Sequence, residues 1–242
     1  MALKSNLEGK LLIGCFKVEE QLGQGSFGTV YKCFHTASKD HVAIKFMPER
    51  GDAVLELKSL NIFKAKRSKC EKLIEMLDIF SYRNLTCIVF PLYGPNTHDA
   101  MRKNDSRFEL EDVREMAFQL IKATNFLHDN KIIHSDIKPK NILLNRHYYD
   151  QTNKSMYKKT NITLCDLGSV YEEEEFDTQV ITTVPYRAFD VVLGFNIGYP
   201  CDVWSIGCTL FELFTKKRLF KANTPGEMYV FIEESLGPFT RA

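Results

Sequence analysis

Residues 134–141 read His134-Ser135-Asp136-Ile137-Lys138-Pro139-Lys140-Asn141 and set a carboxylate, an ammonium and an amide in one short polar stretch between apolar ones. Asp136 can accept the proton of an attacking hydroxyl. Lys138 can neutralise charge on a moving phosphoryl group, and Asn141 can ligate a metal ion. Phosphoryl transfer asks mainly for positioning and charge neutralisation, so these residue types at this spacing suit it. The competing reading is a hydrophilic turn. Asp166-Leu167-Gly168 follows an apolar run at 162–165. A carboxylate at a strand end can hold Mg²⁺ with an oxygen facing phosphates. As a tripeptide it carries little, because Asp-x-Gly turns are common; its place after Asn141 gives it weight.

Two earlier runs fit the same chemistry. Leu22-Gly23-Gln24-Gly25-Ser26-Phe27-Gly28-Thr29-Val30 is a Gly-x-Gly-x-x-Gly run. Glycine serves where backbone approaches a ligand closely or takes positive φ. A β-like run follows it, whereas the dinucleotide-binding fingerprint needs a helix opening on the third glycine. A hairpin with glycines at its tip, closing over phosphates, fits better; an ordinary Gly-rich turn is the alternative. Val42-Ala43-Ile44-Lys45 ends an apolar strand in a lysine. Such a charge is costly unless it is paired or reaches water. Glu56 is the nearest candidate partner, and a Lys–Glu pair that also touches phosphates accounts for both charges. An edge-strand lysine snorkelling to solvent is the other reading.

The elements that must position these residues fall into two regimes. Residues 11–92 hold short β-like runs at 11–13, 30–34, 41–46 and 85–90, separated by Gly, Asn, Asp and Lys clusters. One helical pattern from about residue 52 interrupts them, with Val54, Leu57, Leu60, Ile62 and Phe63 near one face. From about 108 the period becomes helical. Leu110, Val113, Ala117, Leu120, Ile121, Thr124 and Leu127 predict a long amphipathic helix. Short strands are expected at 132–133, 142–144 and 162–165, and an apolar helix at 202–214. The stretch 91–95 joins the two regimes, and a cleft between two such halves is a common ligand site.

Composition narrows the classes. The chain has 242 residues, 44% apolar and 26% charged, which reads as globular. Its 32 basic and 31 acidic residues give a net charge of +1, against a phosphate-coating nucleic-acid binder. Apolar stretches of only a few residues predict no membrane span, and the N-terminus shows no secretory signal. Seven cysteines, without a Cys-x-x-Cys pair, read as reduced thiols, several of them buried. The acidic run 172–175 reads as a solvated loop.

The order of glycine loop, Val-Ala-Ile-Lys, helix Glu, His-x-Asp-x-Lys-x-x-Asn loop and Asp-x-Gly resembles the eukaryotic protein kinase signature set over about 11–238. More narrowly, Cys87-Ile88-Val89-Phe90, Asn125-Phe126-Leu127-His128, Tyr186-Arg187-Ala188 and the run from Pro200 to Cys208 resemble the LAMMER-type (CDC-like) kinases. The resemblance implies an α+β, bilobal protein kinase-like fold. It assigns 1–10 to an N-terminal extension, 11–92 to a β-rich N-lobe and 93–242 to a helical C-lobe. It implies ATP and Mg²⁺ as cofactors, with catalytic Asp136, Lys138 and Lys45 and metal-holding Asn141 and Asp166. Leu22, Gly23, Gly25, Ser26, Phe27, Gly28, Val30, Ala43, Lys45, Glu56, Phe90, Leu92 and Leu143 are then the ATP-contacting set, with Phe90 behind the adenine and 91–94 as hinge. Thr183 is expected to hold Asp136 and Lys138. Asp202 is expected to anchor the catalytic-loop backbone; read by itself, its place before Val203-Trp204 suggests a helix N-cap. Lys138 marks Ser/Thr kinases in that family, and its LAMMER members are dual-specificity. Ser135, where most kinases carry Arg, implies activity without loop phosphorylation.

The resemblance further implies protein substrates that are basic and Ser-rich, a nuclear location, no direct nucleic-acid contact and an extra hairpin at 145–160. The basic run 64–69 could serve as a nuclear address, though a solvated helix end is the plainer reading. The departures are three. Ala188-Phe189-Asp190 stands where kinases have Ala-Pro-Glu, and the chain ends at Ala242 before the helix expected to supply that acid's Arg partner. The segment 227–234 keeps only the acidic positions of the family's namesake motif, and the N-terminal Arg/Ser-rich tail of many relatives is absent. The large lobe is therefore expected to be incomplete. Two alternatives stay open: a pseudokinase or truncated binding module, and a phosphotransferase acting on small molecules.

Overall fold

In the fourth strand, Val42, Ile44 and Phe46 alternate with Ala43 and Lys45, the period-two pattern of a sheet with two different faces. The computed structural model describes residues 7–25, 28–48, 54, 56–61, 70, 72–103, 105–145, 161–167, 171–172, 182–195 and 197–237. Ser26, Phe27, Gly168, most of the 145–160 segment, 173–175 of the acidic run and the basic run 64–69 lie outside the described residues. The chain divides into two units, Met1–Lys69 with Ile74–Tyr93, and Cys70–Leu73 with Gly94–Ala242.

The first unit is a six-stranded antiparallel sheet in the order β1-β2-β3-β4-β6-β5: β1 Leu11–Leu12, β2 Phe16–Gln24, β3 Thr29–His35, β4 Asp40–Pro48, β5 Asp78–Ser81 and β6 Leu85–Pro91. A helical segment, α1, covers 56–61. One sheet face carries the core: Phe16, Val18, Tyr31, Cys33, Val42, Ile44, Phe46, Cys87 and Val89. β2 was not visible as a strand in the residue pattern, because only Phe16 and Val18 are buried and the rest of it faces water.

The second unit is mainly helical. It contains α2 Thr97–Lys103, α3 Leu110–Asp129, α4 Phe189–Val192, α5 Pro200–Thr215 and α6 Pro225–Leu236. Two-stranded ladders join β8 Ile142–Leu144 to β9 Ile162–Leu164, and β7 Ile132–Ile133 to β10 Tyr171–Glu172. The long helix runs where the period predicts, but its buried stripe is Val113, Met116, Leu120, Ala123, Thr124 and Leu127. Leu110 and Ile121, expected on that stripe, are 62% and 58% exposed. Ile121 lies about 100° around the helix from Leu120, which carries it off the buried face. α5 begins two residues before its expected start, at Pro200 in the first turn, and its cap position is Tyr199. α6 is capped by Thr224, whose hydroxyl accepts the Glu227 N–H at 3.2 Å.

All seven cysteines are free thiols, and Cys33, Cys87, Cys201 and Cys208 are buried. Burial pushes the Cys33 and Cys87 thiols up to about 12.

Candidate active site

In the first unit the sheet ladder brings the predicted residues to one face. Val30 pairs with Lys45, Lys45 with Ile88, and Ala43 with Phe90. Residues paired across an antiparallel ladder share a face, so Val30, Ala43, Lys45 and Phe90 lie together opposite the apolar core. The Lys45 ammonium meets the Glu56 carboxylate of α1 at 2.7 Å, with side chains 11% and 3% exposed. This selects the paired-lysine reading over the snorkelling one. Two charges so far from water hold only as a hydrogen-bonded pair.

The glycine run forms the tip of the β2–β3 hairpin. Gly23 pairs with Val30 and Gln24 with Thr29, and the Gly25 N–H donates to the Gly28 carbonyl at 2.9 Å. The three glycines serve different ends. A Cβ on Gly28 would lie 2.3 Å from the Phe46 carbonyl oxygen, so close strand packing requires glycine there. A Cβ on Gly23 or Gly25 would meet nothing within 4 Å. Leu22 is exposed, and Leu92 follows β6 half-buried.

In the second unit residues 134–141 form an irregular loop that ends in a 3₁₀ turn, Pro139–Asn141. The Asp136 carboxylate accepts from Lys138 Nζ at 2.6 Å, from the Thr183 hydroxyl at 2.6 Å and from the Thr183 N–H at 3.1 Å. The Lys138 ammonium also donates to Thr183 Oγ1 at 2.7 Å. Asn141 Nδ2 donates to the Asp136 carbonyl at 2.9 Å and to its carboxylate at 3.3 Å. The carboxylate is thus aimed by three side chains of different chemistry.

The loop backbone is held from below by Asp202, which is fully buried. Its two oxygens accept the His134 and Ser135 N–H groups at 2.9 and 2.8 Å, and His128 Nε2 lies 2.8 Å from Oδ2. The N-cap reading of Asp202 is corrected: it sits inside the first turn of α5 and its acceptors serve the loop. His134 Nδ1 accepts the Asp136 N–H at 3.3 Å, so its Nε2 carries the proton donated to the Cys165 carbonyl at 3.1 Å. Ser135 and Asp166 take positive φ, 64° and 69°. Non-glycine residues persist there only where surrounding contacts over-determine them, and such strain gathers at functional sites.

Asp166 follows β9, and the Cys165 N–H donates to the Asn141 carbonyl at 2.9 Å, which ties the two predicted metal ligands side by side. With Nδ2 committed to Asp136, the Asn141 amide presents its Oδ1 on the other side. An amide oxygen and a carboxylate are hard donors suited to Mg²⁺, which keeps several waters and takes phosphate oxygens as its further ligands. Among the described residues no group of three or more His, Cys, Asp or Glu is placed to hold a metal ion. Leu143, in β8, is half-buried and bridges to Asn96.

Sequence reasoning missed one cluster. Glu212 of α5 is buried, accepts the Tyr186 hydroxyl at 2.6 Å and lies 3.9 Å from His98 Nδ1 on α2. Burial first, then Glu212, push the Tyr186 phenol up. Tyr186 closes the turn that begins at Thr183, and its carbonyl accepts the Ser205 hydroxyl at 2.7 Å. A glutamate inside an otherwise apolar helix was the available signal.

A β-rich unit with a buried Lys–Glu pair, and a helical unit with a loop carboxylate aimed by lysine and threonine, are the two parts of a bilobal protein kinase-like fold. The family model of the protein kinase domain matches residues 16–237, and the chain belongs to that family. Members use ATP and Mg²⁺. Among its relatives are the serine/threonine-protein kinase AFC2 of Arabidopsis thaliana, 35% identical over 93% of this chain and 57% of that protein, and the dual specificity protein kinase lkh1 of Schizosaccharomyces pombe, 36% identical over 93% and 35%. The dual specificity protein kinase CLK4 of Homo sapiens is 33% identical over 95% and 51%. These are LAMMER-type kinases, the group that the sequence resembles. A crystal structure of a kinase domain matches with a TM-score of 0.83 and 28% identity, over 95% of this chain and 72% of that one. The chain spans about half the length of the curated relatives it matches. No helix among the described residues is long and apolar enough to cross a membrane.

Proposed function

We propose that this protein transfers the γ-phosphoryl group of ATP to Ser or Thr hydroxyls of proteins, and to Tyr as a dual-specificity kinase does. The observation that carries the reading is the Asp136 carboxylate held by Lys138, Thr183 and Asn141. In this reading Asp136 accepts the proton of the attacking hydroxyl. Lys138, already bonded to Asp136, neutralises charge on the phosphoryl group as it moves. Lys45, fixed by Glu56, holds the nucleotide phosphates, and Val30, Ala43 and Phe90 supply the apolar face for the adenine. Leu22, Gly23, Gly25, Ser26, Phe27, Gly28, Leu92 and Leu143 complete the nucleotide contacts. Asn141 and Asp166 would hold Mg²⁺, which supplies charge neutralisation at the phosphates.

The test is transfer of radiolabel from γ-labelled ATP to a degenerate Ser/Thr peptide library by purified protein of residues 1–242. Labelled peptide, abolished in Asp136→Asn with nucleotide affinity kept, is the expected result. Nucleotide binding with no transfer to any peptide would instead make the chain a binding module. Transfer to small alcohols but not peptides would make it a small-molecule phosphotransferase.

Two substrate classes differ in sign of charge. The resemblance to LAMMER-type kinases, with the acidic run 172–175, favours basic, Ser-rich proteins and a nuclear location. The charges beside Asp136 favour the opposite sign.

A further inference from the structure

Lys140 lies four residues beyond Asp136, in the same loop, and is exposed. Its 3₁₀ turn is pinned to α2, where the Thr97 hydroxyl donates to the Pro139 carbonyl at 2.8 Å. α2 thereby brings His98 and, one turn on, Arg102 to the same surface. Burial first, and then the positive charge of Lys140, hold His98 below its ordinary value against the opposing charges of Asp99 and Glu212, which places Lys140 within electrostatic reach of it; Arg102 acts more weakly in the same direction as Lys140.

Two of the three described carboxylates on this surface are engaged. Glu212 is buried, bonded to Tyr186 and faced by His98. Asp99, exposed, accepts from the neutral Asn96 amide at 2.8 Å and keeps its charge. Asp136 is bonded to Lys138. Among the described residues neither Lys140 nor Arg102 is ion-paired with a carboxylate. Arg218 adds a further positive group beside Tyr186. Among the described residues the exposed charge on this surface, Lys140 and Arg102 against Asp99, is therefore net positive. A peptide laid across it meets favourable charge with an acidic side chain and repulsion with a basic one, the kind of complementarity that sets specificity.

We propose that Lys140, supported by Arg102, selects protein substrates carrying an Asp or Glu within a few residues of the phosphorylated hydroxyl. This rests on the kinase reading above and names the substrate class of that same site.

The experiment uses purified protein of residues 1–242 and one Ser peptide in which Asp, Ala or Arg occupies each of the four positions on either side. Phosphorylation is read as kcat/KM and binding, without ATP, by fluorescence anisotropy. At one or more positions Asp is expected to exceed Ala, and Arg to fall below it. Lys140→Glu should lower the Asp-to-Arg ratio about tenfold, the scale of a reversed, solvent-exposed charge contact, while the Ala peptide keeps its rate. Arg102→Ala should lower the ratio less. Preference for Arg throughout, or a ratio untouched by Lys140→Glu, overturns the proposal. If no peptide is phosphorylated but the Asp peptide still binds in a Lys140-dependent way, the substrate surface stands and the kinase reading falls. Without phosphorylation or charge-dependent binding both fall.

Discussion

Lys45 and Asp136 are both buried charged groups, yet the two units hold them by opposite means. In the first unit the backbone is fixed by the ladder between β3, β4 and β6, and the Lys45 ammonium is ion-paired with Glu56. In the second unit no ladder runs through residues 134–136. There side chains fix the backbone: Asp202 takes two N–H groups, His134 a third, and Asn141 the Asp136 carbonyl. A side chain lost from the sheet should therefore weaken ligand contact and leave the scaffold standing. A side chain lost beneath the loop should damage scaffold and chemistry together.

The largest expected effect is on turnover. Asp136→Asn should lower phosphoryl transfer about 10²–10⁴-fold, the usual contribution of a positioned base, with ATP affinity kept; near-equal turnover would remove Asp136 from its role. Asp202→Ala should cost about 3–5 kcal/mol in urea unfolding, because buried partners lose their acceptor and His128 its counter-group. A loss under about 1 kcal/mol would show that the loop stands without it and would erase the contrast.

Lys45→Met separates the units further. It should raise the KM for ATP and lower kcat, and cost about 1–3 kcal/mol because the buried Glu56 carboxylate loses the Lys45 ammonium; a stability loss larger than that of Asp202→Ala would reverse the comparison. Gly28→Ala should cost about 1–3 kcal/mol and raise the KM for ATP, since its methyl collides with the Phe46 carbonyl, while Gly25→Ala, in open space, changes stability by less than about 1 kcal/mol. The last effect is absent at neutral pH and grows with alkali. Buried thiols of the first unit titrate near 12 when folded and near their ordinary value when unfolded, so their contribution is full below pH 9 and falls as pH rises toward 12. Thermal unfolding should show a loss of about 1.4 kcal/mol per pH unit per thiol above pH 9, flattened in Cys33→Ala.

What was legible in the sequence follows the same division. The loop 134–141 is contiguous, so its groups announce themselves in one line of text, and Val42, Ile44 and Phe46 announce a strand by alternation. Lys45–Glu56 could be proposed because a buried lysine demands a partner close by. Asp202 could not be placed from its own surroundings: a carboxylate at a helix start looks like a cap, and only its resemblance to a family position pointed 67 residues back to Ser135. Glu212, Tyr186 and His98 meet only through tertiary packing, and no local period links α2 to α5. β5 has no fully buried side chain, so alternation had nothing to mark.

The ladder between β10 and β7 sets Tyr171 against Ile133 and Glu172 against Ile132, directly ahead of the loop. Downstream, Thr183 is fastened to Asp136, and Tyr186 to Ser205 and Glu212. Both flanks of the stretch 173–181 are thus moored independently of that stretch. A protease nick within it would sever the polypeptide without releasing either end, and the cut protein should migrate as one particle on gel filtration while its acceptor carboxylate keeps its aim.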